Sequence, residues 1–237
     1  MNYLYSIVPV LLIVIFIYNL DKHKEPLKLL IQLFIGGVIS TFLVLLITIV
    51  LKLLFRDLTI IDGNISNIKL FINIFLTIGL VEELSKWIVT YKISYNNKEF
   101  DELYDIIVYS VFVSLGFATL ENILYVTDSD ASILTAIIRG MLSIPAHTSL
   151  GIVMGSFLGL SKMAEIKNNY YGKKQNILYS IIIPIELHTI YDFCAISTNK
   201  YVSIFFYIYV TLLFIFAIAI IKQFTRKNIK IKQKTNR

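Results

Sequence analysis

Apolar residues along this chain fall into long, nearly uninterrupted stretches, at about 2–20, 29–51, 67–91, 104–127, 131–161, 176–197 and 201–221. At 1.5 Å of rise per residue each can cross roughly 30 Å of hydrocarbon as a helix, and the fifth is long enough to tilt or to extend beyond the core. The pattern predicts an all-α, polytopic transmembrane bundle of about seven spans. Neither an internal repeat nor a soluble domain interrupts it, so residues 1–221 are expected to form one transmembrane domain and 222–237 a basic tail. The first stretch, Tyr3 to Leu20, has no basic leading region and no A-x-A-like cleavage site, and is expected to be a retained span.

Composition narrows the class further. A hydrophobic content of 57% and a mean hydropathy of +0.73 are too high for a water-soluble domain. The net charge of +6 does not point to nucleic acid, because the basic residues sit in the connections and the tail. With connections assigned to alternate sides, one side receives Lys22, Lys24, Lys28, Lys92, Lys98, Lys162, Lys167, Lys173, Lys174 and the basic residues from Lys222 to Arg237. The other receives Lys52, Arg56, Lys69 and Lys200. The asymmetry predicts an outside N-terminus and a cytoplasmic C-terminus in a cell membrane, with the tail against anionic lipid. Cys194 is the sole cysteine, so no intrachain disulfide can form. Asn96 to Glu102, with an asparagine and several acids, is expected to start the helix of the fourth span.

Against that background the charges inside the spans stand out. A charged side chain near the bilayer centre costs roughly 2.5–3.5 kcal/mol, so such groups face the protein interior, pair, and mark function. The third span carries Glu82, Glu83 and Lys86; on a helix the lysine lies i,i+4 from the first glutamate and i,i+3 from the second. The ammonium can offset one carboxylate, which leaves the other available to exchange protons with water. The fourth span holds Glu121 and Asn122, the fifth His147, and the sixth His188 and Asp192 at i,i+4. Measured from each span's midpoint, Glu82, Glu121, His147, His188 and Asp192 all lie within about 10 Å of the midplane, so four helices can serve one buried site. Interhelical hydrogen-bond glue is the plainer alternative, but glue is usually Ser, Thr or Asn. Glu186, two residues before His188, is expected to face elsewhere, and Arg139 to play a structural role nearer the surface.

These motifs have a familiar order. Glu82-Glu83-Leu84-Ser85-Lys86 resembles the EExxK motif of the PrsW family of intramembrane proteases, and Gly116 to Asn122 is similar to its GFAxxEN motif. His147 to Gly151 and His188 to Asp192 resemble its HxxxG and HxxxD, and Leu20 to Pro26 the segment after its first span. The family sits in a superfamily with CAAX prenyl endopeptidases and bacteriocin-immunity-type proteins. The resemblance implies peptide-bond hydrolysis in the bacterial membrane, specifically the first cut of a single-span anti-sigma factor that leads to release of an extracytoplasmic-function sigma factor under stress.

For such a reaction the residue chemistry offers Glu82 or Glu83 as general base on a water, and Glu121 to share the water or hold a second proton. His147 and His188 would position the water or stabilise the oxyanion, with Asp192 orienting His188 and Asn122 donating to the substrate carbonyl. A metal-free reaction is expected; a zinc ion held by His147, His188 and Glu121 is the alternative. Two further functions compete. A proton-coupled carrier also needs buried carboxylates and histidines, but the matching broken helices and inverted repeats are missing. A non-catalytic binding or immunity-type protein on the same scaffold would have no reason to keep the full polar set.

Overall fold

The computed structural model describes residues 3–127, 132–227 and 231. Among them are eight α-helices: α1 (Tyr3–Leu20), α2 (Leu27–Leu54), α3 (Asn67–Ile74), α4 (Leu80–Ser94), α5 (Asp105–Thr127), α6 (Ile133–Ile166), α7 (Tyr170–Ile196) and α8 (Lys200–Lys227). A π-helical turn, Phe75–Gly79, joins α3 to α4 with helical backbone angles at both junctions, so these elements form one rod with a widened turn. Five helices, α2, α5, α6, α7 and α8, are long and apolar enough to cross a membrane; Ile7–Leu20 is a shorter apolar helix. The fold is therefore the expected all-α membrane bundle. α8 continues the last apolar stretch through Lys222 and Arg226 to Lys227, while 228–230 and 232–237 of the basic tail lie outside the described residues, as does the fourth connection, 128–131.

The fourth span matches the apolar run, but the segment ahead of it does not start its helix. Asn96 to Glu102 is not helical, and the helix starts at Asp105. The Asp105 carboxylate reaches back to accept from the backbone amides of Asp101 at 3.0 Å and Glu102 at 2.7 Å. This side chain thus satisfies amides that the preceding loop leaves open, a cap placed inside the helix rather than ahead of it.

α5 is the axis of the bundle: every residue from Asp105 to Ala118 is buried, as expected for a helix covered on all sides. Small residues let neighbours come close. A Cβ on Gly116 would lie 2.0 Å from the Phe34 carbonyl oxygen of α2, so α2 and α5 meet backbone to backbone only because no side chain intervenes. The Thr41 hydroxyl adds a 3.3 Å bond to the Phe117 carbonyl across the same seam. Exposed Leu, Ile and Phe side chains cover the outward faces of α1, α2 and α8, where a bilayer would solvate them.

The connections gather at two ends. At one, His23 Nδ1 meets Glu102 Oε1 at 2.8 Å, the Tyr109 hydroxyl donates to Glu25, and the Ile231 amide donates to the Asp101 carbonyl. At the other, Thr198 Oγ1 donates to the Gly63 carbonyl at 3.0 Å, and Asn73 Nδ2 donates to the Asp57 and Ile60 carbonyls.

Candidate active site

α4 supplies the centre. Glu83 Oε1 accepts from Lys86 Nζ at 2.6 Å and sits 2.8 Å from His188 Nδ1 of α7, with Glu83 and Lys86 almost wholly buried. Lys86 Nζ also lies 3.7 Å from Glu82 Oε2 and 4.2 Å above the Phe117 ring. One buried ammonium offsets one carboxylate of the acid pair, and His188 of α7 gives Glu83 a second partner. The π turn sits just ahead of the glutamates, and a Cβ on Gly79 would lie 2.4 Å from Thr189 Oγ1 of α7. Glycine there brings α4 onto α7, so that Glu83 and His188 reach each other.

α5 and α6 complete the ring. Lys86 Nζ lies 3.1 Å from His147 Nδ1, and an ammonium can only donate, so that nitrogen accepts. The proton then sits on His147 Nε2, which donates to Glu121 Oε2 at 2.8 Å. Glu121 Oε1 accepts from Arg139 Nη2 at 2.9 Å, and Arg139 Nε donates to Asn122 Oδ1 at 2.8 Å. The guanidinium stacks 3.6 Å over the Tyr125 ring. Prolines precede both histidines within a turn or so, Pro145 in α6 and Pro184 in α7, each removing one amide from its helical ladder.

Glu82 is placed differently from its neighbour. It lines a cavity of about 1110 Å³ together with Glu121, Arg139, His147, His188 and Asp192, whereas Glu83 and Lys86 stand behind the wall. Consecutive helical residues are about 100° apart, which is how one glutamate faces the cavity and the next the bundle. Glu82 Oε2 has no hydrogen-bond partner among the described residues; it lies 3.9 Å from His188 Nε2, which is also 3.3 Å from Asp192 Oδ2. The cavity also reaches Lys52, Thr59 and Ile61, at the end of the bundle where Thr198 meets Gly63.

The same residues bear on metal binding. Glu82, His147 and His188 each offer a donor atom within 4.8 Å of the other two. Two imidazoles and a carboxylate make an open three-ligand set of the kind that suits zinc. The set fits an ion in number and kind on one condition: both imidazoles are contacted at both ring nitrogens, His147 by Lys86 and Glu121 and His188 by Glu83 and Asp192, so one contact on each must open to bind a metal.

The six candidate residues Glu82, Glu83, Glu121, His147, His188 and Asp192 converge, with Lys86 among them. Two expectations need correction. Glu82, not Glu121, joins the two histidines in the donor triad, because Arg139 and His147 occupy both Glu121 oxygens. Asn122 is not aimed at a substrate: it is fully buried, its amide nitrogen donates to the Ala118 carbonyl at 2.8 Å, and its oxygen holds Arg139. Asp192 lies beside His188 as expected, Oδ2 3.3 Å from Nε2, and Glu83 holds Nδ1 at 2.8 Å. Arg139, read from sequence as a surface residue, belongs to the site; the clue was an intramembrane arginine alongside a glutamate, Glu121, for which no cationic partner had been named. Glu186 is exposed, as its helical angle from His188 required.

The chain is similar to known proteins over most of its length. A family profile described as PrsW family intramembrane metalloprotease matches residues 25–220. A protein named Protease PrsW from Oceanobacillus iheyensis is 37% identical over 188 residues, 79% of this chain and 80% of that protein. One of the same name from Geobacillus kaustophilus is 34% identical over 197 residues, 83% and 80% respectively, and one from Clostridioides difficile 32% over 215 residues, 89% and 86%. No solved structure matches. With its long apolar helices and a charged ring buried between them, the chain belongs to the PrsW family of intramembrane proteases and is a multi-pass protein of the bacterial cell membrane.

Proposed function

We propose that this intramembrane peptidase hydrolyses its substrate with Glu82 as the general base. The observation that carries the reading is that Glu82 lines the cavity, while Glu83 lies behind it with its Oε1 held by both Lys86 and His188. A water beside Glu82 loses one proton to the carboxylate as its oxygen bonds to the peptide carbonyl carbon. The C–N bond then breaks as Glu82 passes that proton to the leaving nitrogen, giving an acid and an amine. His188 Nε2, within 4 Å of Glu82, positions the water. Arg139, a permanent donor at the cavity wall, meets the charge that develops on the carbonyl oxygen, and Glu121 and Asn122 hold it there.

A metal is the second reading, favoured by the mutual approach of Glu82, His147 and His188. When bound by those residues an ion would supply Lewis-acid activation of a water or carbonyl. Either Lys86 would then have to release His147 Nδ1 or Glu121 would have to release Nε2.

The substrate is proposed to be a single-span membrane protein, an anti-sigma factor receiving its first cut. Support comes from a cavity of about 1110 Å³ that reaches the end of the bundle carrying Lys52 and Thr59. The basic connections between α1 and α2, α4 and α5, and α6 and α7 meet at the other end, which by the positive-inside rule favours an extracytoplasmic Lys52 end.

The test is cleavage of a tagged single-span anti-sigma factor in reconstituted vesicles by the unmodified chain and by Glu82→Gln, each with and without a strong chelator. Cleavage that is lost in Glu82→Gln and survives chelation upholds the glutamate reading. Cleavage abolished by chelator and restored by zinc transfers the role to a metal. Failure to cut any of several single-span candidates, with the protein folded, overturns the substrate assignment and favours a binding role.

A further inference from the structure

A second cluster lies about 24 Å along α5 from Glu121, at 1.5 Å per residue from Asp105. Asp21 and Glu25 of the first connection and Asp105 at the start of α5 each offer a carboxylate oxygen within 4.8 Å of the others. All three are buried, at 3%, 6% and 1% exposure. Among the described residues no basic side chain forms an ion pair with any of them. Lys24, the nearest candidate by sequence, instead points its ammonium at the backbone carbonyls of Asp21 and Tyr18. His23 pairs with Glu102, on the rim of the cluster.

Their existing hydrogen bonds leave the charge unanswered. Asp105 Oδ2 caps the amides of Asp101 and Glu102, Asp21 Oδ1 accepts from the His23 amide at 3.1 Å, and Glu25 accepts from the Tyr109 hydroxyl. Asp21 Oδ2 and Asp105 Oδ1 are buried without a partner. Two orphaned carboxylate oxygens within a set of three converging carboxylates are what an absent cation would satisfy, because isolated buried acids are strongly disfavoured. The donors are oxygen only. Such a set selects hard cations, Mg²⁺ or Ca²⁺, over zinc, which prefers the nitrogen-containing set at the other cluster.

We propose that Asp21, Glu25 and Asp105 bind a hard divalent cation that clips the first connection to the start of α5. It is a structural site, remote from the cavity, and independent of how the peptidase activates water. Its position lets it fasten α1 and α2 to the central helix at the end opposite the cavity's reach toward Lys52.

The experiment follows thermal unfolding of the purified full chain in detergent by far-ultraviolet circular dichroism, after stripping with EDTA, during titration with MgCl₂ or CaCl₂. The expected result is a saturable rise in Tm of a few degrees, present also in Glu82→Gln and absent in Asp21→Asn and Glu25→Gln. Whichever salt saturates at the lower concentration identifies the cation. A Tm that does not respond in the unmodified chain overturns the proposal and leaves a proton-sharing carboxyl cluster. A response lost in Glu82→Gln overturns it in favour of the catalytic triad. Should the Asp21 and Glu25 variants fail to fold, terbium luminescence excited through tyrosine decides: Tyr109, bonded to Glu25, should sensitise emission that Mg²⁺ or Ca²⁺ displaces, and silence overturns the site.

Discussion

The molecule buries acidic residues in two places and treats them in opposite ways. Around α4, Glu82, Glu83, Glu121 and Asp192 are interleaved with Lys86, Arg139, His147 and His188, so that nearly every acid touches a positive or titratable group. At the start of α5, Asp21, Glu25 and Asp105 face one another with backbone amides and a tyrosine for company. The first cluster carries its own counter-charges, and of the Glu82–Glu83 pair it turns only Glu82 to the cavity. The second lacks them. Burial raises Glu25, which lies outside the spans, to about 7, the Tyr109 hydrogen bond working against that rise and the Asp21 charge adding to it. A self-contained cluster is suited to chemistry, and an incomplete one to an outside partner.

The largest expected effect tests Glu82 itself. Glu82→Gln should lower the cleavage rate by about 10²–10⁴-fold, the usual range for a general base, while Tm stays within a degree or two because Oε2 has no hydrogen bond to lose. The vesicle assay and a thermal melt check the two halves separately. A large loss of Tm in this variant would mean that Glu82 is structural.

Next is the counter-charge itself. Lys86→Met leaves Glu83 and Glu82 buried without their ammonium, and breaking a buried pair this way costs about 3–5 kcal/mol. In the second cluster, without added cation, Asp21→Asn removes a buried charge that has no ion pair among the described residues, and should leave Tm unchanged or higher. Opposite signs in the two melts would sustain the contrast, and equal losses would break it.

Smaller still is a packing effect. Gly116→Ala sets a methyl where the Phe34 carbonyl stands and should cost about 1–3 kcal/mol through overpacking, with cleavage reduced only as far as α5 shifts. Chemical denaturation reads the first and the vesicle assay the second. Glu186→Gln should do least, leaving activity within about twofold, since it is exposed and two residues out of phase with His188.

Much of this was legible in the residues themselves. Apolar runs foretold the helices, and the intramembrane charges foretold which helices converge, since a charge in hydrocarbon must find company. The division of labour within Glu82-Glu83 was not legible, because it depends on which side of α4 the cavity opens. Asn122 was misjudged for a related reason: sequence shows an amide beside a glutamate, but not that Arg139 from the next helix claims it. The π turn at Phe75–Gly79 left no mark in the apolar pattern. Asp21, Glu25 and Asp105 are separated by eighty residues or so of chain in the last case, and no local pattern joins a short connection to the start of a distant helix.

One further consequence concerns light. Trp87, the sole tryptophan in the chain, follows Lys86 directly, and its indole N–H donates to Ser180 Oγ of α7 at 2.8 Å while the ring stacks on Tyr91. The chain thus carries a native fluorophore one residue from its buried ammonium, spanning the two helices that bring Glu83 to His188. Its emission maximum and quenching would report, without any label, whether substrate entry slides α4 against α7.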